Sequence, residues 1–104
     1  MEFVAKLEMI AVGTCPGVFD FKVFGASSFG RVAFFHGRQF GQTQIQPCPG
    51  VILNIANARF TGATMTNGKG EAVLRRQVPK RACGRTLVQA IDLKACVTSN
   101  IVKL

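Results

Sequence analysis

Four cysteines, at positions 15, 48, 83 and 96, place the tightest limits on what this chain of 104 residues can fold into. Successive gaps of 33, 35 and 13 positions are too wide for a structural zinc site, whose ligands pair at about two to four residues' spacing. No CxxC is present, which removes thioredoxin-like redox chemistry. A nucleophilic Cys–His pair has one histidine to draw on, His36, and it stands inside the apolar run RVAFFHG. We read it as a packing or strand-face residue. In a small β-rich domain the economical use of Cys15, Cys48, Cys83 and Cys96 is two disulfides.

Two of these cysteines open the same tetrapeptide, Cys-Pro-Gly-Val, at 15–18 and at 48–51. Proline fixes φ and lacks a backbone donor, and glycine accepts unusual φ, so each Pro-Gly pair predicts a turn that launches a strand with a cysteine at its mouth. The flanking sequences, VFDFKVFG and VILNIANA, are dissimilar, which argues for one local solution used at two corners and against an internal duplication.

Between these corners the apolar period is two. In VFDFKVF, Phe19, Phe21 and Val23 share one face and Asp20 and Lys22 the other, the pattern of a half-buried strand. RVAFFHG predicts a strand with little exposed surface on either side, and VILNI is short and β-branched. The segment from Arg59 to Met65 leads into Asn67-Gly68-Lys69-Gly70 and then GEAVLRRQV, which predicts a hairpin turning at Asn67-Gly68. In RTLVQAIDLKACVTSNIVKL, Leu87, Ile91 and Ala95 recur at helical spacing, but the Thr, Val and Ile content favours two strands joined near Leu93-Lys94. The expectation is one all-β domain over residues 1–104, an antiparallel β-sandwich of eight or nine short strands.

Composition bears on function mainly by exclusion. The chain has nine Phe but neither Trp nor Tyr, the residues that usually give sugar- and base-stacking faces their polar handle. Most of the nine are therefore expected in the core. A formal charge of +8 favours a nucleic acid, an anionic surface, an acidic polysaccharide or an acidic protein as partner, without choosing among them. The densest basic stretch holds Arg75, Arg76, Lys80, Arg81 and Arg85. Its functional reading is a polyanion-binding patch; the preferred reading is a solvated strand end and loop, since no RRM-like aromatics or recognition helix accompany it. The opening MEFVAKLEMIAVG lacks the basic region, apolar stretch and cleavage site of a signal peptide, and no run approaches the roughly 18 apolar residues of a membrane span.

The pattern GTCPG, then a second Cys-Pro-Gly before a strand, then ACG…QAID…C..SN near the end, resembles a Cys-bearing, Ig-like β-sandwich module of secreted and cell-surface proteins of environmental bacteria. The likeness runs from about Gly13 to Leu104. It implies an extracellular or cell-surface location and no enzymatic role. Four cysteines allow three pairings. In an Ig-like sandwich with Val18 to Gly25 as second strand and Arg85 to Asp92 as penultimate strand, both begin at the same end, which brings Cys15 to Cys83 and leaves Cys48 with Cys96 at the other. Cys83 with Cys96 is disfavoured, because a strand of about eight residues separates its ends by far more than the ~7 Å limit on Cα spacing.

The functional expectation is a non-catalytic structural or adhesive subunit of an extracellular assembly or fibre. A virion-surface cement protein is the second reading and a polyanion- or glycan-binding module the third. No cofactor is called for, and the carboxylates are too scattered for an active site. Partners are expected to be other copies of the chain or a neighbouring structural protein, with an acidic polymer or surface also in view. FVAKLEMIAV and CVTSNIVKL carry few charges and no proline, so edge pairing between copies is expected to run through them.

Overall fold

A computed structural model describes residues 7–104. Nine strands follow in order: β1 (Glu8–Gly13), β2 (Gly17–Phe24), β3 (Arg31–Gly37), β4 (Phe40–Gln44), β5 (Ile52–Ile55), β6 (Arg59–Met65), β7 (Ala72–Val78), β8 (Leu87–Asp92) and β9 (Val97–Lys103). A single 3-10 turn, Lys80–Ala82, interrupts them. One sheet has the order β1-β2-β7, a second β6-β3-β8-β9, and β4-β5 forms a separate ribbon. Every pairing is antiparallel.

The alternation read in VFDFKVF places Phe19, Phe21 and Val23 in the core between the two sheets, with Met9, Ala72, Leu74 and Val78 beside them and Val32, Phe34, Val88 and Ala90 opposite. The second sheet is also covered on its other side. There Ala33 and Ile91 pack against Ile45, Cys48 and Leu53 of the ribbon and its loop. This double burial explains why RVAFFHG alternates so weakly, and why all six residues of β8 are buried.

Three side chains hydrogen-bond across gaps where neighbouring strands do not pair as sheet. Asn100 of β9 accepts from the Met9 N–H at 2.8 Å and donates to the Met9 carbonyl at 3.0 Å, tying together the edges of the two sheets. On the opposite edge, Arg76 of β7 donates to the Thr61 carbonyl of β6 at 3.3 Å. It lies across Gly62, where a Cβ would sit 2.5 Å from its Nη2. Gln89, only 1% exposed, accepts from the Asn54 N–H of β5 and donates to the Asn54 side chain and the Ser99 carbonyl. The terminal strands are thus held to each other at Met9 and Asn100, which closes the middle of the edge expected to be unguarded. The first four residues of FVAKLEMIAV lie outside the described residues.

Both disulfides have the expected connectivity. Cys15–Cys83 and Cys48–Cys96 close at Cα separations of 5.7 and 5.5 Å. They bridge 68 and 48 positions of sequence, and on loop-closure entropy each stabilises the fold by about 4 kcal/mol. The two Cys-Pro-Gly corners share a sequence but differ in backbone. At the second, the Val51 N–H donates to the Cys48 carbonyl and Gly50 has φ +83°, the conformation a Pro-Gly turn of type II requires. At the first, the Cys15–Pro16 bond is cis and Gly17 already belongs to β2.

Two expectations are corrected. Asn67-Gly68 is a turn but not a hairpin: β6 pairs with β3 and β7 with β2, so the chain crosses from one sheet to the other here. The Asn67 side chain accepts from the N–H groups of Lys69 and Glu71. The rest of the crossing is pinned to the β2–β3 loop through Ala26, Phe29 and Thr66. The phenylalanines are also less buried than expected: Phe19, Phe21 and Phe34 are in the core, whereas Phe29, Phe40 and Phe60 are 72, 72 and 62% exposed.

Asp92, 3% exposed, anchors the end of β8. One carboxylate oxygen accepts from the Ser27 N–H and hydroxyl at 2.7 and 2.8 Å, the other from the N–H groups of Lys94 and Ala95. Burial alone pushes its pKa up; the Ser27 bonds, followed by those from Ala95 and Lys94, outweigh it and hold the group below the ordinary 3.8. Asp92→Asn turns an acceptor into a donor facing backbone N–H groups. We expect it to lower stability in urea unfolding by about 2–4 kcal/mol, with both disulfides intact by mass.

Candidate anion-binding cleft

A cleft of about 820 Å³ opens at the mouth between the two sheets, on the β6/β7 side. Its apolar floor comes from Phe21, Val78, Val88 and Leu104. Four arginines reach it from separate segments: Arg38 after β3, Arg59 at the start of β6, Arg76 on β7 and Arg81 in the 3-10 turn. Gln39, Asn57, Thr61, Gln77 and Thr86 supply neutral hydrogen-bonding groups. Among the described residues, no Asp or Glu side chain lines the cleft, and the one ion pair lies elsewhere. A concave site with convergent donors and no competing carboxylate is suited to a carboxylate, phosphate or sulfate group.

A β-bulge builds its centre. The β3–β6 register shifts between Phe34 and Phe35, so Phe35 pairs with Phe60, His36 pairs with Arg59, and Thr61 has no cross-strand partner on β3. The Thr61 hydroxyl instead meets His36 Nδ1 at 2.6 Å. Phe60 is turned to the outer side, where its ring meets Phe35 edge-on at 5.8 Å between centroids. Bulges re-aim side chains in this way beside functional sites. Burial, and then the charge of Arg59, push the His36 pKa below its ordinary 6.5, so the cleft holds a neutral imidazole at neutral pH.

The five basic residues singled out in the sequence do not form one patch. Arg76 and Arg81 line the cleft. Arg75 points to the outer face of the β1-β2-β7 sheet, where its Nε and Nη2 donate to the Asp20 carboxylate at 2.8 and 3.2 Å. That hydrogen bond and the guanidinium charge hold Asp20 below the usual carboxylate range. Arg85 borders a shallower depression with Arg38, Phe40 and Lys103, and Lys80 is exposed in the 3-10 turn, lining neither. Sequence reading missed Arg38 and Arg59, which are 21 positions apart. Only the pairing of β3 with β6 unites them.

All four cysteines are oxidised, so none is available as a nucleophile. Among the described residues, no group of three or more His, Cys, Asp or Glu side chains is placed to hold a metal, and no helix is long and apolar enough to cross a membrane. No protein-family model matches the chain, and no curated protein or solved structure shows significant similarity to it.

Because the unfolded chain binds a proton at His36 more readily than the folded one, stability rises with pH between the folded-state pKa and about 6.5. We expect urea midpoints to fall as pH is lowered through that window. His36→Asn should flatten this part of the profile, measured against wild type in the same buffers.

Proposed function

We propose that the protein is a non-catalytic adhesive subunit working outside the cytoplasm, which grips anionic groups of an acidic polymer through the cleft. The four arginines converging without a carboxylate on Arg38, Arg59, Arg76 and Arg81 carry this reading. The two disulfides suit an oxidising compartment. The opposition of β1-β2-β7 to β6-β3-β8-β9 suits an Ig-like module, of the kind borne by secreted and surface proteins of environmental bacteria. Polymer-stacking chemistry has a small part in it, since the cleft walls carry no Trp or Tyr and its one phenylalanine, Phe21, is on the floor and 2% exposed.

The probe for this reading is heparin. Its affinity should fall steeply as salt rises, because binding releases counterions. Arg38→Glu/Arg59→Glu reverses two cleft charges and should weaken binding by roughly a hundredfold, about 2.7 kcal/mol. Lys80→Glu/Arg85→Glu makes the same change in net charge outside the cleft and should cost far less. Equal losses in the two double variants would reduce the interaction to net charge and remove the cleft from it. Protonation of His36 adds a fifth cation, so heparin affinity should also rise as pH is lowered toward the His36 pKa.

A further inference from the structure

Among the described residues nothing covers the outer face of the β1-β2-β7 sheet, where exposed aliphatics surround a small group of charges. Its residues are fixed by register: Ile10, Lys22 and Val73 form one row, Val12, Asp20 and Arg75 the next, with Phe24 above them and Val18 below on the central strand. Ile10, Val12, Val18 and Val73 are 46, 49, 50 and 49% exposed. Exposed aliphatics gathered on one sheet face mark a candidate interaction surface.

The charge on this face sets it apart. In a chain of formal charge +8, copies repel each other over most of their surface. Here Glu8 and Asp20 balance Lys22 and Arg75, and the local charge is zero. The outward residues of β2 are complementary to their own reversal: Val18, Asp20, Lys22, Phe24 run apolar, acid, base, apolar, so a second copy running the other way sets acid against base and apolar against apolar.

We infer that this face is the contact between two copies of the chain, related by a two-fold axis that crosses β2 at Phe21 perpendicular to the strand. That axis exchanges the two rows. Lys22 of each copy meets Asp20 of the other, Val18 meets Phe24, Ile10 meets Val12, and Val73 lies against the aliphatic stem of Arg75. Asp20 then sits between its own Arg75 and the second copy's Lys22, so the charges covered by the contact are paired. Aligned packing of the two sheets at about 10 Å is the ordinary geometry of sandwich layers. Edge pairing through β1 is the weaker route, because Asn100 already occupies the Met9 N–H and carbonyl.

The full chain should sediment at twice its 11.2 kDa at high concentration and dissociate on dilution. In the wild-type protein, the methyl resonances of Ile10, Val12, Val18 and Val73 should shift with concentration while those of the buried Leu53 and Val32 stay fixed. Lys22→Glu places like charges opposite each other and should weaken association by roughly tenfold or more. Val12→Glu should do the same, and Arg59→Glu, in the cleft, should not, which separates this contact from polymer binding. A monomer up to about 1 mM, the weak end of specific association, overturns the inference, whether the face is then covered by residues 1–6 or by another protein. So does a dimer that both face variants leave intact.

Discussion

Burial of β8 on both sides is the constraint from which the rest of the architecture follows. Six consecutive residues, Leu87 to Asp92, have no outlet to water, and two of them, Gln89 and Asp92, are polar. A strand in that position needs a layer on each face and a partner for every polar group. Val88 and Ala90 require the β1-β2-β7 sheet; Ile91 requires the β4-β5 ribbon. Gln89 turns its own satisfaction into the bond that fixes that ribbon. The bulge opposite β9 leaves the Ala90 N–H without a ladder partner, and the Ser99 hydroxyl accepts it at 2.9 Å. Asp92 draws in the β2–β3 loop through Ser27 and shapes the turn that leads to Cys96. The second disulfide then ties that turn to the loop before β5.

Both lateral openings of the sandwich are bridged by side chains, and the choice of side chain differs with the environment. Asn100 matches donor and acceptor to a strand edge and so takes the place of one residue of a partner strand. Arg76 spans a wider gap and keeps its guanidinium beside the cleft, so the same residue closes the fold and contributes charge to the site. Gly62 is what permits this, since any Cβ there displaces the guanidinium.

The sequence was legible where one physical requirement acts alone. Phe19, Phe21 and Val23 alternate because one face of β2 is dry, and the cysteine pairing follows from the sandwich end at which each strand begins, strand length excluding only Cys83 with Cys96. Legibility fails where two requirements compete. Asn67 and Gly68 specify a reversal but not which strand pairs with the one that follows, and the apolar residues of β7 choose β2. Phe29, Phe40 and Phe60 look like core residues by type, yet they stand outside: Phe60 is opposed to Phe35 on the outer surface, and Phe29 covers Gly68. In the basic segment, a count of charges cannot distinguish Arg75, neutralised by Asp20 on a neighbouring strand, from Arg76 and Arg81 in the cleft. Arg38 and Arg59 carry no local signal, because the long-range pairing of β3 with β6 creates their proximity.

Charge in this molecule is partitioned, and the partition bears on how binding and assembly coexist. Of the four described acidic residues, Glu8 and Asp20 are on the outer face of the β1-β2-β7 sheet, Asp92 is buried, and Glu71 is held in the crossing turn. None is left to oppose the cleft. Gln77 lines the cleft and follows Arg75 on the outward side of β7. Contact between copies through that face therefore leaves both clefts open. Under the two proposals together, two cationic clefts held at a fixed separation would bind a long anionic chain with the second attachment made at high effective concentration, so weak single-site affinity would become strong attachment to a polymer while small anions would be released freely. The same partition keeps salt from acting in one direction: screening loosens the grip on the polymer but also lowers the repulsion between like-charged copies. Assembly through a neutral apolar face is thus favoured under the conditions in which single-cleft binding is weakest.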